Sequence, residues 1–325
     1  MRRHVATAGL LLLCVVWVAC GTDEEAGTGT APRPVVLSLD FIPNAIHAPI
    51  YQAVGGGHDR ANGVALQIRK PSSGPDALKL VASGEVDIGV LDIHDLAIAR
   101  EQGSDLVAIA ALVDRPLAAL IAQPSIERPR ELEGRTVGVS GLPSDPAFLR
   151  AIVEHDGGDY SRVRRVTIGF SAVSRLISGR VDAVPAFWNA EGVALRQRGF
   201  DPQEFRIEDY GAPPYPEVVL ITARETLEAE PDLLRRALTA VEAGRRSTLD
   251  DPDAAVRVVA EAAETRDTDL VRAQLDAVAP IFAEGLMLDR AVLEEWAAFD
   301  VEIGIVGSRP QVDRAFDFTL TPAAG

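Results

Sequence analysis

One pattern occurs twice in the chain: Ser83-Gly84-Glu85-Val86-Asp87 and Ser178-Gly179-Arg180-Val181-Asp182. In each copy Ser-Gly closes a stretch of helical character and Val-Asp opens a short apolar strand. Aligned on Ser-Gly, Asp92 falls level with Phe187 and His94 with Asn189. The same supersecondary unit is therefore used twice. Both copies place polar or ring-bearing residues just past the carboxyl end of a strand, which is where open α/β sheets bind ligands.

The rest of the chain fits this frame. "VVLSLDF" from Val35, "ALQIRK", "VDIGVL" and "LVAIAALV" read as strands with helix-like stretches between them. "PDALKLVASG" has Pro75 near its start and Gly84 after its end, the usual asymmetry of a helix. This is the rhythm of a parallel sheet covered by helices. After "RPLAALIAQP" it restarts with "RTVGVSG", "VRRVTIGF" and "VDAVPAFW", and "PEVVLITAR" from Pro216 is a further buried strand. From Glu225 the apolar residues recur at three-to-four spacing, as amphipathic helices require.

The first twenty residues read as an address. Arg2 and Arg3 precede the apolar run "GLLLLCVVWVA", which ends at Cys20. That run is short for a transmembrane helix, which needs about 20 apolar residues. "VAC" before Gly21 resembles the lipobox of bacterial lipoproteins, although Trp17 stands where that motif usually carries Leu. The likeness implies a chain lipidated on Cys20 and held on the extracytoplasmic face of the membrane. The alternatives are an ordinary secretion signal or an uncleaved anchor. Cys14 and Cys20 are the only cysteines, so the mature fold would hold no disulfide. Residues 21–34 are polar and rich in Gly, Thr and Pro, which reads as a flexible tether. The formal net charge of -16 argues against a nucleic-acid partner, and "RVRR" at Arg162 to Arg165 reads as a solvated loop face.

"LDFIPNAIHAPIYQA", "SGEVDIGVLD" and "FWNAEG" resemble the NMT1/THI5-like group of ABC-transporter substrate-binding proteins, over about Val35 to Gly307. "WNAEG" is similar to the family's Trp-Asn-Tyr-Glu-Gly, with Ala190 in place of the Tyr. The resemblance implies a type II periplasmic-binding-protein fold, two α/β lobes joined by crossover strands with a ligand cleft between them. Lobe one would be residues 35–122 plus 223–325, and lobe two residues 123–222. The implied function is delivery of a small planar heterocycle, of the thiamine pyrimidine-precursor type, to a permease. The family also holds enzymes that make that pyrimidine from their own histidine and pyridoxal phosphate, and His94 falls where that histidine is carried. The iron-binding cysteine run of those enzymes corresponds here to "YPEVVLITA", which has no cysteine. Lys70 and Lys79, the only lysines, lie outside the "GVLDIHD" segment that would hold the aldehyde. The expectation is a binder with no cofactor. A pyrimidine synthase and a binder of sulfonates or other small anions remain as rivals.

Several residues are candidates for the ligand. Glu191 can accept two N–H bonds from an aminopyrimidine edge, or sit at a helix start for the dipole. Asn189 is a contact or an N-cap. Trp188 and Phe41 can stack on a flat ring, Phe41 alternatively packing in the core. Tyr51 faces either cleft or core, and Tyr215, in the Pro-rich crossover, is either a ring at the hinge mouth or part of a solvent-facing turn. Asn44 can donate and accept, or serve the turn after Pro43. His47 and His94 are contacts, and two histidines alone make a weak metal case. Asp40 and Asp92 touch the ligand or fix strand ends. In "SGLPSD", the amides around Gly141 and Ser144 suit an anion at a helix N-terminus, or Ser144 simply caps.

Overall fold

The computed structural model describes residues 31–321. The signal, Cys20 and most of the tether lie outside them. The ten strands are β1 (Arg33–Ser38), β2 (Val64–Arg69), β3 (Ile88–Asp92), β4 (Leu106–Ala111), β5 (Ala118–Ala122), β6 (Thr136–Val139), β7 (Arg164–Thr167), β8 (Ala183–Phe187), β9 (Gln203–Arg206) and β10 (Val218–Ala223). β1 begins at Arg33, so the expected tether runs two residues too far.

The strands form two five-stranded sheets, ordered β2-β1-β3-β10-β4 and β7-β6-β8-β5-β9. The orders are equivalent, with β5 in the second sheet standing where β10 stands in the first. β1 is parallel to β2 and β3, and β10 runs antiparallel between β3 and β4. Likewise β6 is parallel to β7 and β8, and β5 runs antiparallel between β8 and β9. Each sheet thus receives its antiparallel strand from a crossing of the chain.

This moves the expected lobe boundaries. β5 was placed in lobe one, yet it pairs with β8 and β9. β10 was divided at Thr222/Ala223, yet it belongs entirely to the first sheet. An apolar strand such as "AALIA" is buried on both faces in either sheet, so its composition carries no address. We propose lobe limits at the crossings themselves, between β4 and β5 and between β9 and β10.

The repeated pentapeptide has a physical cause in both lobes. Gly84 and Gly179 have φ of 74° and 66°, the left-handed region that ends a helix without a Cβ penalty. The next amide closes the turn, Glu85 to the Leu80 carbonyl and Arg180 to that of Arg175. Val86 and Val181 are buried. Asp87 Oδ2 accepts from Val36 N at 2.7 Å, and Asp182 Oδ2 from Thr136 N at 2.8 Å. The motif ends a helix, buries one side chain and ties the new strand to a neighbouring parallel strand, β1 in the first sheet and β6 in the second.

β3, β4 and β5 are buried throughout, as sheets covered on both faces require. β7 is exposed at the sheet edge. It carries Arg164 and Arg165, so part of "RVRR" is a charged edge strand rather than a loop, which discourages further strand pairing. One face of the first sheet packs on helices Ala48–Gly55, Pro231–Asp250, Pro252–Ala262 and Thr268–Val278. On the other lie Ile93–Glu101 and Arg290–Glu302, whose core continues into the second lobe.

Candidate functional site

A cleft opens where the carboxyl ends of β1, β3, β6 and β8 meet. On the first lobe's side it is lined by Asp40, Phe41, Asn44, Asp92, His94 and Asp95, with Glu217 at the crossing into β10. On the second lobe's side lie Ser140, Ser144, Asp145, Phe170, Phe187 and Glu191. Its empty volume is about 1060 Å³, open solvent at the mouth included.

The segment after β1 positions its own acid. His47 is fully buried, and its Nδ1 accepts from Asn44 N at 3.3 Å. Nε2 is then the protonated nitrogen, and it donates to Asp40 Oδ1 at 2.8 Å. His47 therefore holds Asp40 at the cleft and does not itself line it. Asn44 caps the following turn through Oδ1, which accepts from Ile46 N, while Nδ2 donates to Ile42 O. Its polar atoms serve the turn first, and the residue forms part of the wall. Phe41 meets the Phe170 ring edge-on at 4.5 Å, so a ring from each lobe flanks the opening.

The segment after β6 does not offer an anion pocket. Asp145 Oδ2 accepts from Gly141 N at 2.8 Å and Leu142 N at 3.1 Å, and also from Ser140 Oγ at 3.0 Å. Ser144 makes no side-chain cap, and its N–H donates across the cleft to Asp95 Oδ1 at 3.0 Å. The donors that an anionic group would need already face carboxylates. Among the described residues, the cleft lining includes Asp40, Asp92, Asp95, Asp145, Glu191 and Glu217, but no Lys or Arg.

His94 sits at the inner end. Its Nδ1 lies 2.6 Å from Asp300 Oδ1, and its Nε2 3.0 Å from the Tyr215 hydroxyl and 3.9 Å from Glu217 Oε1. Burial opposes charge on this ring, but Asp300, Asp92 and Glu217 outweigh it and push His94 up to about 10. Burial, with the Glu217 charge added, holds Asp92 well above the ordinary carboxylate range. Burial likewise lifts Asp95 to about 7 and Glu191 to about 7, the latter also raised by the charge of Asp40. Glu191 Oε2 accepts from Phe187 N at 3.2 Å, and the residue's own amide also favours its charged form.

The structure does not bring every candidate to the lining. Trp188 turns away: its indole donates to the Pro116 carbonyl at 3.2 Å and the Arg206 guanidinium lies 4.3 Å over its ring. Its neighbour Phe187, the last residue of β8, takes the place at the cleft, and Trp188 opens the helical turn that follows. Asn189 is buried with both amide atoms unpartnered, and it is not the N-cap, a position held by Phe187. Tyr51 packs on the first-lobe core, where burial pushes it up to about 12. Tyr215 lies behind His94, and Gly141 supplies the left-handed turn, φ 97°, ahead of Leu142. Sequence reasoning missed Phe170 and Glu217. The lone acid before the apolar run "VVLITA" was the signal for Glu217. Asp92, His94 and Glu217 also place one potential ligand atom each within 4.8 Å of one another, an arrangement able to hold a cation.

The comparisons agree with this architecture. The family described as NMT1/THI5 like matches residues 44–255. A formylaminopyrimidine-binding protein from Halalkalibacterium halodurans is 32% identical over 77% of this chain and 76% of its own. A 4-amino-5-hydroxymethyl-2-methylpyrimidine phosphate synthase from Legionella pneumophila is 26% identical over 78% of this chain and 81% of its own. Among solved structures, the alkanesulfonate-binding protein SsuA from Xanthomonas axonopodis pv. citri, bound to MOPS, superposes with a TM-score of 0.71. At 14% identity, over 88% of this chain and 99% of that one, it shows the fold alone. The two-sheet architecture and the match across most of the chain lead to one conclusion: this protein belongs to the NMT1/THI5 like family.

Proposed function

We propose that this protein is the ligand-binding component of an ABC importer and that its ligand is a planar nitrogen heterocycle, a pyrimidine precursor of the formylaminopyrimidine type. The observation that carries the reading is the chemistry of the cleft wall. It presents carboxylates and phenyl rings, has no Lys or Arg, and its "SGLPSD" donors are already engaged. An aminopyrimidine offers N–H donors and two flat faces, which match that wall. A sulfonate offers acceptors and negative charge, which do not. The sulfonate rival therefore lacks support in the cleft, although SsuA shares the fold.

In this reading Glu191 accepts the ligand's N–H edge and Phe41 and Phe170 flank the ring. A hydrogen bond to a charged group contributes about 1.5–3 kcal/mol. Asp40, held by His47, and Asn44 complete that wall. The enzyme rival is weaker: the lining offers neither a lysine for an aldehyde nor a cysteine for iron. Incubation with iron and pyridoxal phosphate should leave the intact mass unchanged, whereas a mass change at His94 would favour the synthase. Lipid on Cys20 and an extracytoplasmic location belong to the same proposal, and a Cys20→Ser variant released from the membrane would support both.

Native mass spectrometry of the protein purified from its own host tests the ligand. The expected adduct has the mass of a substituted aminopyrimidine. Glu191→Gln should weaken its binding by about tenfold or more, in line with loss of a charged partner. A sulfonate adduct, or an unchanged affinity in Glu191→Gln, contradicts the assignment.

A further inference from the structure

The inner end of the cleft gathers more buried carboxyl groups than its own residues pair. Asp92, Asp95, Glu217 and Asp300 surround a single imidazole, His94. His94 spends its ring nitrogens on Asp300 and on the Tyr215 hydroxyl. Glu217 Oε1 and Asp95 Oδ2 are then left buried with no hydrogen-bond partner. Both residues line the cleft, and they are 0% and 2% exposed. A buried carboxylate oxygen without a donor is costly, so this position suits a donor that arrives with a ligand.

Glu217 has a second property. It stands on the crossing into β10, while its Oε2 accepts from Leu117 N at 2.8 Å and Ala118 N at 3.0 Å, on the crossing into β5. One side chain thus pins the two crossings together and presents its remaining oxygen to the cleft. Whatever binds that oxygen is bonded to the point where the lobes join.

We propose that the inner end of the cleft is a cation site centred on Glu217 Oε1. The occupant is either a protonated nitrogen of the organic ligand or a divalent metal ion. Both bring a positive charge beside which these carboxyls ionise. The ligand atoms of Asp92, His94 and Glu217 lie within 4.8 Å of one another. Asp300 takes Nδ1, as an outer carboxylate does for a metal-binding histidine, and a metal ion on Nε2 would displace its proton and its bond to the Tyr215 hydroxyl. The organic occupant rests on the pyrimidine reading and the metal occupant does not.

The test uses the whole mature chain and its Glu217→Gln variant. The glutamine keeps an oxygen for the Leu117 and Ala118 amides, and thermal unfolding checks the fold. Each protein is titrated with ring-15N-labelled 4-amino-5-hydroxymethyl-2-methylpyrimidine above that ring's own pKa, and separately with zinc chloride alone. The expected result is a bound ring nitrogen with the shift of its protonated form, or one zinc bound per chain. Glu217→Gln should weaken whichever is found by about tenfold or more. A pyrimidine bound with an unprotonated ring, and no zinc bound, overturns the cation site while the pyrimidine reading stands. Equal affinities in the two proteins overturn it as well. Zinc bound without pyrimidine keeps the site and refutes the reading, and binding of neither refutes both.

Discussion

His94 shows how far neighbours can outweigh burial. Three surrounding carboxylates hold its proton up to about 10. Its ring should stay protonated from about pH 6 to 9 in an NMR titration, whereas an unperturbed histidine titrates near 6.5. Asp95 is shifted in the direction that weakens the protein at neutral pH. Its folded value is raised to about 7, chiefly by burial, with the Asp145 charge adding and the Ser144 hydrogen bond opposing. A carboxyl raised on folding stabilises fully below its unfolded value and loses that contribution as pH rises through its folded one. Asp95→Asn should therefore flatten the fall in melting temperature between about pH 4 and 7. An unchanged slope would show that Asp95 is not the titrating group. At this scale Asp40, Asn44 and Glu191 were legible because each follows a strand exit. Trp188 was not, since β8 ends at Phe187 and the helical turn that begins at Trp188 carries its ring away from the cleft. Phe170 was read as the last residue of the strand "VRRVTIGF", whereas β7 ends at Thr167 and leaves the ring just past the strand.

At Gly244 the helices Ala48–Gly55 and Pro231–Asp250 pack backbone to backbone. A Cβ on Gly244 would meet the Ala53 amide nitrogen at 2.6 Å and the Pro49 carbonyl oxygen closer still. Both obstacles are backbone, so neither can swing aside. Gly244→Ala should cost about 1–3 kcal/mol, as overpacking of a tight contact does, and lower the melting temperature by several degrees. A more stable variant would contradict the packing described. Elements were the most legible scale in the sequence. The two Ser-Gly-x-Val-Asp copies located a helix end and a strand start in each lobe, and the tie from Asp87 and Asp182 to a neighbouring strand shows why. Sheet membership was not legible, because β5 and β10 are apolar enough for either sheet and only their partners decide.

At the scale of the molecule, two equivalent sheets point their carboxyl ends at one cleft and exchange a strand through the crossings that Glu217 pins. Contacts already span the lobes on both sides of that cleft. Ser144 N donates to Asp95, and Gln274 Nε2 donates to the Ala190 carbonyl at 3.1 Å. Ligand binding would add partners to a set of groups that are buried and incompletely bonded. The measurement that tests this account most directly is a calorimetric titration of the mature chain with a formylaminopyrimidine and, in parallel, with an alkanesulfonate. The account predicts one pyrimidine bound per chain, abolished or strongly weakened by Glu191→Gln, and no sulfonate binding. Sulfonate binding with no response to the pyrimidine would contradict it.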